Sequence, residues 1–351
     1  MEKQNSAITY REMYRQAEIF AALNKSIPEI HTTLETVFAE TYDELIFTGC
    51  GTSLYLAQSA AQAFASLNPV PARAVCCSEL YHFPETFLKG KRTLVLPITR
   101  KSYTTEVRMA IDRARTFDGV KTLSVTCDKD AAAYNDFMVF CPEAEEESVI
   151  MTGSFTGMLY LTSLIAFHAA GRKDLIEDLR DYPSHAEAFL KRSDETAKSV
   201  LQTRPDLNLF IMLGQGVHYG VANECMNKIK EMSLSNSEAY YTMEYRHGPM
   251  SLVDGHTMIV LFPHSKTAAS DLALLEQMKS FGAYTLAVGA HVSETFALAD
   301  CCLDLPFPYD DIQSAAMTGF IGQFLGYHLS LLKGLDADPP RHLSQAIVLP
   351  S

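Results

Sequence analysis

Short apolar runs alternate with amphipathic stretches along most of the chain. Such runs occupy residues 45–48, 93–98, 209–213 and 258–262, and each is followed by a turn and then by apolar residues at helical spacing. A strand that is apolar at successive positions is buried on both faces, as in parallel sheets covered by helices. The pattern therefore predicts an α/β protein whose parallel sheets are flanked by helices.

This pattern occurs twice. One apolar run ends in Gly49-Cys50-Gly51, and the same arrangement returns 165 residues later at Gly214-Gln215-Gly216. In both copies a second apolar run leads into a polar loop and then into another helical stretch. A repeat of this length has the size of a domain, so two tandem α/β domains are predicted.

The domain boundaries follow from changes in composition. The segment 172–207 is charged and poor in glycine, which favours a helical connector over a flexible linker. The C-terminal segment contains Pro339-Pro340 and ends in apolar residues, so an extended tail that packs on the protein is expected. We expect a lead-in helix in residues 1–30, a first domain in 31–171, the connector in 172–207, a second domain in 208–335 and the tail in 336–351.

Composition excludes several classes of partner. The 351 residues carry a net charge of −13, which disfavours nucleic-acid binding. Segments 148–171 and 312–332 lack charged residues, but their Ser, Thr, Gly, Gln and His predict helices buried by protein rather than membrane spans. The N-terminus lacks the pattern of a signal peptide, and the eight cysteines lack zinc-site spacing. We therefore expect a cytoplasmic protein with reduced thiols, no metal, and no membrane or nucleic-acid partner.

Two loops of the first domain hold the candidate binding residues. In open α/β sheets, ligands bind beyond the carboxyl ends of the strands, where helix N-termini attract anions. The candidates in these loops are Gly51, Thr52, Ser53, Thr99, Arg100, Lys101 and Thr104. A dinucleotide fingerprint is a weaker interpretation, because Leu54 stands where a third glycine is needed. The other alternative is a pair of tight turns capped by hydroxyls.

Two segments of the second domain hold the candidate catalytic residues. Glu224, Lys228 and Glu231 lie at i, i+4 and i+7 of a predicted helix, so one face carries acid, base and acid. His247 precedes Gly248-Pro249 and is expected in a turn, where its ring is free to enter a cleft. The alternatives are an exposed ion-paired helix face and a structural histidine.

These residues resemble a known family. The turn at 49–53, the block at 228–231 and the runs at 238–240 and 246–249 look like the sugar isomerase (SIS) family. More closely, the chain is similar to the isomerase half of glucosamine-6-phosphate synthases and to stand-alone glucosamine-6-phosphate deaminases, or AgaS-type aminosugar-phosphate isomerases. The resemblance implies two flavodoxin-like SIS domains and a homodimer with active sites at the subunit boundary. It also implies a sugar 6-phosphate ligand and no metal or organic cofactor.

The resemblance also implies roles for individual residues. Glu231 matches the base that moves a proton between C1 and C2 of the opened sugar, and Lys228 matches a lysine near the same site. His247 matches the residue that assists ring opening, which the partner subunit can contribute in this family. The candidates in the two loops match the sugar- and phosphate-binding positions. A carboxylate base near a cation that steadies an enolate or enolamine suits this chemistry.

Some positions depart from the family pattern. The phosphate loop of the family reads S-x-S-G-x-T, but Lys101 and Ser102 replace its second Ser and its Gly. We therefore expect either that cations of the loop contact the phosphate or that the ligand lies in a different position. Gln345 stands where the synthases carry a catalytic Lys. The 351 residues include no glutaminase domain, and glutamine-dependent amination is not expected.

The predicted function is an aminosugar 6-phosphate deaminase/isomerase that works by 1,2-proton transfer and releases ammonia. Two alternatives are close to it: a fructosamine 6-phosphate deglycase and a ketose/aldose phosphate isomerase. An alternative of another class is a sugar-phosphate sensor without turnover.

Overall fold

The computed structural model describes residues 7–349 of the chain. Residues 1–6 of the predicted lead-in segment and residues 350–351 of the predicted tail lie outside the described residues. The strands are β1 (Glu44–Gly49), β2 (Ala72–Cys76), β3 (Thr93–Thr99), β4 (Val120–Thr126), β5 (Phe137–Phe140), β6 (Leu209–Gly214), β7 (Asn236–Tyr241), β8 (Thr257–Phe262), β9 (Tyr284–Gly289) and β10 (Cys301–Asp304). The α-helices are α1 (Ala7–Tyr14), α2 (Gln16–Val37), α3 (Thr52–Leu67), α4 (Cys77–His82), α5 (Pro84–Leu88), α6 (Thr105–Ala114), α7 (Gly153–Ala169), α8 (Lys173–Asp178), α9 (Tyr182–Thr203), α10 (His218–Ser233), α11 (Ala268–Ser280), α12 (Val292–Thr295), α13 (Asp311–Thr318) and α14 (Phe320–Leu332).

The strands form two five-stranded parallel sheets. The first has the order β2-β1-β3-β4-β5, and the second has the order β10-β9-β8-β6-β7. Every strand pair is parallel. The second order, read from its other edge, repeats the first with β6 in the place of β1, which is the flavodoxin-like arrangement. The predicted α/β class with tandem parallel sheets is thus confirmed.

The chain divides into two compact units. We call them the first-sheet unit and the second-sheet unit. The first-sheet unit contains Arg15–Glu147, Gly153–Pro183 and the described residues from Ser344 on. The second-sheet unit contains the described residues up to Tyr14, together with Ser148–Thr152 and Ser184–Leu343. Each unit therefore consists of stretches that are not continuous in the sequence.

The core of the first-sheet unit lies on both faces of its sheet. On one face, Ile46 and Val95 pack with Val107 and Ile111 of α6. On the other face lies α7, which is buried from Gly153 to Phe167. Helix α7 also packs closely on α2, since a Cβ added at Gly153 would lie 2.5 Å from Cδ1 of Ile19. Helix α7 is apolar on all sides because the surrounding protein covers it.

The core of the second-sheet unit has the same construction. Ile211, Ile259 and Leu261 of the sheet pack with Leu274 and Met278 of α11. Helices α10 and α14 lie against each other so closely that two glycines of α14 have no room for a side chain. A Cβ added at Gly322 would lie 2.4 Å from Cβ of Cys225. At Gly326 it would lie 2.7 Å from the backbone oxygen of Lys228.

The segments that flank the sheets are helical. The lead-in segment forms two helices, α1 and α2, which are separated at Arg15, and α2 continues past Pro28 to Val37. The connector is α8, a 3-10 turn at Leu179–Asp181 and α9. In the tail, the N–H of Thr105 donates to the carbonyl oxygen of Ile347 at 3.1 Å. The tail is thereby joined to the first turn of α6.

The segments without charged residues are internal helices. Helix α7 and the pair α13 and α14 are buried over most of their lengths. No helix of residues 7–349 has the length and apolarity that a bilayer crossing requires. All eight cysteines carry free thiols, and Cys77, Cys127, Cys141 and Cys225 are buried.

The contact between α10 and α14 yields a prediction about stability. Gly322→Ala forces a methyl group against Cys225, so we expect the free energy of unfolding to fall by about 1–3 kcal/mol. Gly255→Ala is the matched control, because a Cβ there meets nothing within 4 Å. Urea unfolding followed by circular dichroism measures both variants. Equal stabilities of the two variants would contradict the close packing.

Candidate functional site

The β1–α3 loop of the first-sheet unit places backbone and hydroxyl groups beyond the end of β1. A Cβ added at Gly49 would lie 2.7 Å from the backbone carbon of Ser53, so only glycine allows α3 to begin so close to the strand. Gly51 has φ of 54°, which glycine adopts without strain. Thr52 and Ser53 follow in the first turn of α3 and are each 5% exposed.

The β3–α6 loop lies at the same edge of this sheet. β1 and β3 are parallel neighbours, with Glu44 opposite Thr93 and Thr48 opposite Pro97. Their carboxyl ends are therefore adjacent, which brings the loop at 51–53 and the loop at 99–104 together. The hydroxyls of Thr99 and Thr104 both donate to the carbonyl oxygen of Lys101, at 2.7 and 3.2 Å.

An acid supports the middle of the β3–α6 loop. The N–H of Ser102 donates to a carboxylate oxygen of Asp128 at 2.9 Å. Burial alone would raise the pKa of Asp128, but its hydrogen bonds from Ser102 and from Asp130 N–H outweigh this and lower it. The hydroxyl of Tyr134 donates to the carbonyl of Ser102 at 2.8 Å. Ser102 stands where the family has Gly, and its backbone is thus held by two residues of the β4–β5 connection, Asp128 and Tyr134.

The two cations of this loop differ in their surroundings. Arg100 is 4% exposed and forms an ion pair with Glu146 at 3.4 Å. Its guanidinium also donates to the carbonyl oxygen of Gln345 at 3.0 Å. Lys101 pairs instead with Glu145 at 2.8 Å, and the Glu145 side chain is 65% exposed. Arg100 therefore belongs to a buried ion pair, whereas the partner of Lys101 is one that solvent or a ligand can replace.

The side chain of Gln345 is engaged by backbone. Its amide nitrogen donates to the carbonyl oxygens of Glu146 and Glu147, at 3.2 and 2.8 Å. The position that resembles the catalytic lysine of the synthases thus holds a neutral amide that ties the tail to residues 146–147. It supplies no amine.

Helix α10 of the second-sheet unit carries the acid–base–acid cluster. The ammonium of Lys228 lies 2.6 Å from Oε2 of Glu231 and 3.2 Å from Oε1 of Glu224. The side chains of Lys228 and Glu224 are each 1% exposed, while that of Glu231 is 22% exposed. The cluster is therefore not an exposed helix face, and Glu231 is its member open to a ligand.

Lys228 is a cation at neutral pH. Burial alone would lower the pKa of Lys228, but the carboxylates of Glu224 and Glu231 outweigh it and raise the pKa to about 12. A lysine held in this way does not act as a neutral nucleophile. It can place a positive charge beside Glu231 and beside any negative charge that develops there.

Asn227 was not among the site residues predicted from the sequence. Its amide nitrogen donates to Oε1 of Glu231 at 2.9 Å. The spacing i to i+4 on a helix was the available signal, because an amide and a carboxylate at that spacing face each other. Both carboxylate oxygens of Glu231 therefore accept a hydrogen bond from α10 itself.

His247 lies in an exposed turn, as its Gly-Pro sequence predicted. Its backbone N–H donates to the carbonyl of Glu244 at 2.9 Å, and Gly248 follows with φ of 121°. The turn is anchored by Arg246, which donates to the side-chain oxygen of Gln277 at 2.9 Å. No hydrogen bond or ion pair joins the His247 ring to any part of the chain that the structure describes, including Glu231 and Lys228.

The second sheet has two corresponding loops, and the carboxylate of Asp311 contacts residues of both. Gly216, with φ of 56°, has the same position after β6 that Gly51 has after β1. His264 follows β8 at the position that corresponds to Arg100 after β3. Asp311 accepts a hydrogen bond from Ser265 N–H at 3.0 Å and a second one from the Ser265 hydroxyl. The rings of His218 and His264 lie 3.5 and 3.4 Å from its carboxylate.

The carboxylate of Asp311 is strongly stabilised in its charged form. Burial alone would raise the pKa of Asp311, but hydrogen bonds from His218 and Ser265 hold it well below its usual range. The first sheet has a corresponding pair, because Glu146 joins Arg100 to the N–H of Ser154 at the start of α7. In both units a carboxylate thus joins the loop after the third strand to the beginning of a later helix.

Comparison with known proteins identifies the family. The SIS-domain model matches residues 42–168 and 208–333, so the chain belongs to the SIS-domain family. No cluster of His, Cys, Asp or Glu suited to a metal ion occurs in residues 7–349.

Its relatives include phosphosugar enzymes. The glucosamine-6-phosphate deaminase of Thermotoga maritima is 27% identical, with a TM-score of 0.80 over 98% of this chain and 100% of that one. An isomerizing glutamine–fructose-6-phosphate aminotransferase of Thermococcus kodakarensis is 27% identical over 97% of this chain and 57% of its own length. The tagatose-6-phosphate ketose/aldose isomerase of Escherichia coli shares the fold, with a TM-score of 0.85, 24% identity, and coverage of 98% of this chain and 96% of that one. The chain spans about half the length of the curated relatives it matches.

The carboxylate in the second loop pair yields a prediction about pH. Asp311→Asn removes the charge that His218 and His264 face, so the free energy of unfolding at pH 7 should fall by about 1–3 kcal/mol. Because the pKa of Asp311 is lower in the folded chain than in the unfolded one, its contribution is complete above the ordinary carboxyl pKa and is lost on acidification. The variant should therefore lose less stability than the wild type between about pH 5 and pH 3.

Urea unfolding at pH 7, 5 and 3 measures this difference. Glu195→Gln is the control, since Glu195 is an exposed acid of α9. Parallel acid dependence of wild type and Asp311→Asn would show that the carboxylate contributes nothing to stability.

Proposed function

We propose that the protein is an aminosugar 6-phosphate deaminase/isomerase in which Glu231 is the base. The observation that carries the proposal is the α10 cluster, in which a partly exposed carboxylate lies 2.6 Å from a buried lysine whose pKa its two acidic neighbours raise. Proton abstraction beside a carbonyl or imine needs such a base together with a cation that steadies the enolate or enolamine. Membership of the SIS family and the similarity to a glucosamine-6-phosphate deaminase support this choice.

The proposed reaction begins with ring opening, which His247 assists. Glu231 removes the proton from C2 of the open aldehyde, whose C2 carries the amine, and the electron pair forms the enolamine. Return of the proton to C1 leaves an imine at C2. Water adds to that imine, and ammonia leaves with the former C2–N bond pair to give the ketose 6-phosphate. Aminosugar phosphate and water thus give ketose phosphate and ammonia.

Gln345 favours a substrate that brings its own amine. The side chain is an amide tied to the carbonyls of residues 146 and 147, so it cannot form an imine with a ketose. An aminosugar or a fructosamine supplies that nitrogen itself. Release of an amino acid from fructosamine 6-phosphates is therefore the second candidate function.

Phosphate binding is assigned to the two loops of the first sheet. We propose that Thr52, Ser53 and the β3–α6 loop hold the anion at the N-termini of α3 and α6. Lys101 is the cation available to it, since Arg100 is committed to Glu146. We further propose that the enzyme is a cytoplasmic homodimer in which the exposed His247 serves the partner's active site.

A substrate panel tests the activity. Purified protein is incubated with glucosamine 6-phosphate, galactosamine 6-phosphate and fructosamine 6-phosphates, and ammonia, free amino acid and ketose phosphate are measured. Ammonia with ketose phosphate supports the deaminase, and amino acid supports the second candidate. If the protein binds these compounds but forms no product, the enzymatic function is rejected in favour of a sugar-phosphate sensor without turnover.

Glu231→Gln tests the base. We expect kcat to fall by roughly 10³-fold, because the amide keeps the shape but accepts no proton, while the dissociation constant changes by less than about threefold. Glu276→Gln, at an exposed acid of α11, is the control and should keep wild-type turnover. Initial rates and calorimetric titration with the substrate found in the panel give both quantities. Wild-type turnover in Glu231→Gln would reject the role of the base.

Lys101→Met tests the phosphate contact. Losing one charge-assisted hydrogen bond to phosphate should raise KM by about 10-fold or more and leave kcat within about twofold. Lys89→Met, at an exposed lysine after α5, serves as the control. Steady-state kinetics at constant ionic strength separate the two variants. An unchanged KM in Lys101→Met would exclude Lys101 from phosphate binding.

A further inference from the structure

The orientation of Glu231 depends on two donors of its own helix. Lys228 donates to Oε2 at 2.6 Å, and Asn227 donates to Oε1 at 2.9 Å. The two donors precede Glu231 by three and four residues, so they approach the carboxylate from the preceding turn of α10. Oε1 and Oε2 each keep a further lone pair for a proton.

One donor alone would leave the carboxylate mobile. A glutamate side chain loses up to about 1.5–2 kcal/mol of rotamer entropy when it is fixed. With Lys228 as its only anchor, the carboxylate of Glu231 can turn about the bond to Oε2, because the 22% of its side chain that is exposed has solvent beside it. The second bond to Oε1 defines the plane of the carboxylate and therefore the direction of its free lone pairs.

Helix α10 and the elements packed against it carry several titratable groups, and Lys230, the neighbour of Glu231 in the chain, is an exposed cation. On α10, Lys228 is shared between Glu231 and the buried Glu224. Neighbouring β7 offers Glu238, which accepts a hydrogen bond from Tyr240 at 2.6 Å. On α14 and α13 the titratable groups are Tyr327, His328 and Asp311; His328 pairs with Asp194, and Asp311 pairs with His218 and His264. Asn227 is thus a neutral donor in a cluster whose net charge is already negative.

We propose that Asn227 is the positioning residue of the base, and this inference rests on the proposed function of Glu231. Its amide fixes the plane of the Glu231 carboxylate so that a lone pair faces the carbon acid, and it adds a donor without adding charge. An aspartate at this position would have the same shape but would repel the base. A leucine would remove the bond and leave the charge unchanged.

Three variants test the inference. Asn227→Leu should lower kcat by about 10-fold while KM changes by less than about twofold, because the loss falls on orientation in the transition state. Asn227→Asp should lower kcat further and move the acidic limb of kcat/KM to higher pH, since a like charge favours the protonated base. Asn227→Gln restores an amide donor and should recover part of the loss.

Asn223→Leu is the matched control. Asn223 lies one turn earlier on α10, and its amide donates to the backbone carbonyl of Tyr219 at 3.0 Å rather than to Glu231. Its kcat and pH profile should stay within about twofold of the wild type. Circular dichroism and thermal unfolding of all four variants show whether α10 is intact.

The outcomes separate the inference from the proposed function. If Glu231→Gln is inactive but Asn227→Leu and Asn227→Asp keep the wild-type kcat and pH profile, the positioning role is overturned and the base stands. If Asn227→Leu and Asn223→Leu lose activity equally, the effect is general to the helix and the inference is again overturned. Turnover by Glu231→Gln, or absence of turnover in the wild type, removes the proposed function and the positioning role with it.

Discussion

The loops of both sheets depend on one steric constraint, which is the contact between a strand end and the helix that follows it. A Cβ added at Gly49 would lie 2.7 Å from the backbone of Ser53, and one added at Gly214 would lie 2.4 Å from the backbone of His218. Only glycine permits these contacts. They place the first N–H groups of α3 and α10 directly beyond β1 and β6, where a parallel sheet presents its ligand-binding edge.

The two sheets differ in the groups that lie at this edge. In the first sheet, hydroxyls line it and the buried Arg100 is matched by Glu146, so Lys101 is the cation with a replaceable partner. In the second sheet, Asp311 lies between two histidines and a serine, and the chain supplies its own anion. Under the proposed function, a protein of net charge −13 would hold an anionic sugar through local dipoles and one cation rather than through its overall charge.

The chemistry of α10 follows from burial combined with pairing. Lys228 keeps its proton although it is 1% exposed, because two carboxylates of the same helix outweigh the cost of its burial. Close packing against Gly326 of α14 excludes water from that side of the helix. Glu231, at the accessible end of the cluster, accepts hydrogen bonds from Lys228 and Asn227, and the base that we propose requires such a fixed orientation.

The sequence by itself determined the α/β class, the repeat, the strands that carry the loops, and the residues Thr52, Ser53, Thr99 and Thr104 at one sheet edge, because strand and helix periodicities are local properties. Local periodicity also placed Glu224, Lys228 and Glu231 on one helix face. Only the tertiary structure decided that Arg100 pairs with Glu146 and Gln345, that Asp311 fills the second loop pair, and that Lys228 is buried. Those facts depend on contacts between residues far apart in the chain, and burial, which sets the energy of each charge, exists only once the helices have packed.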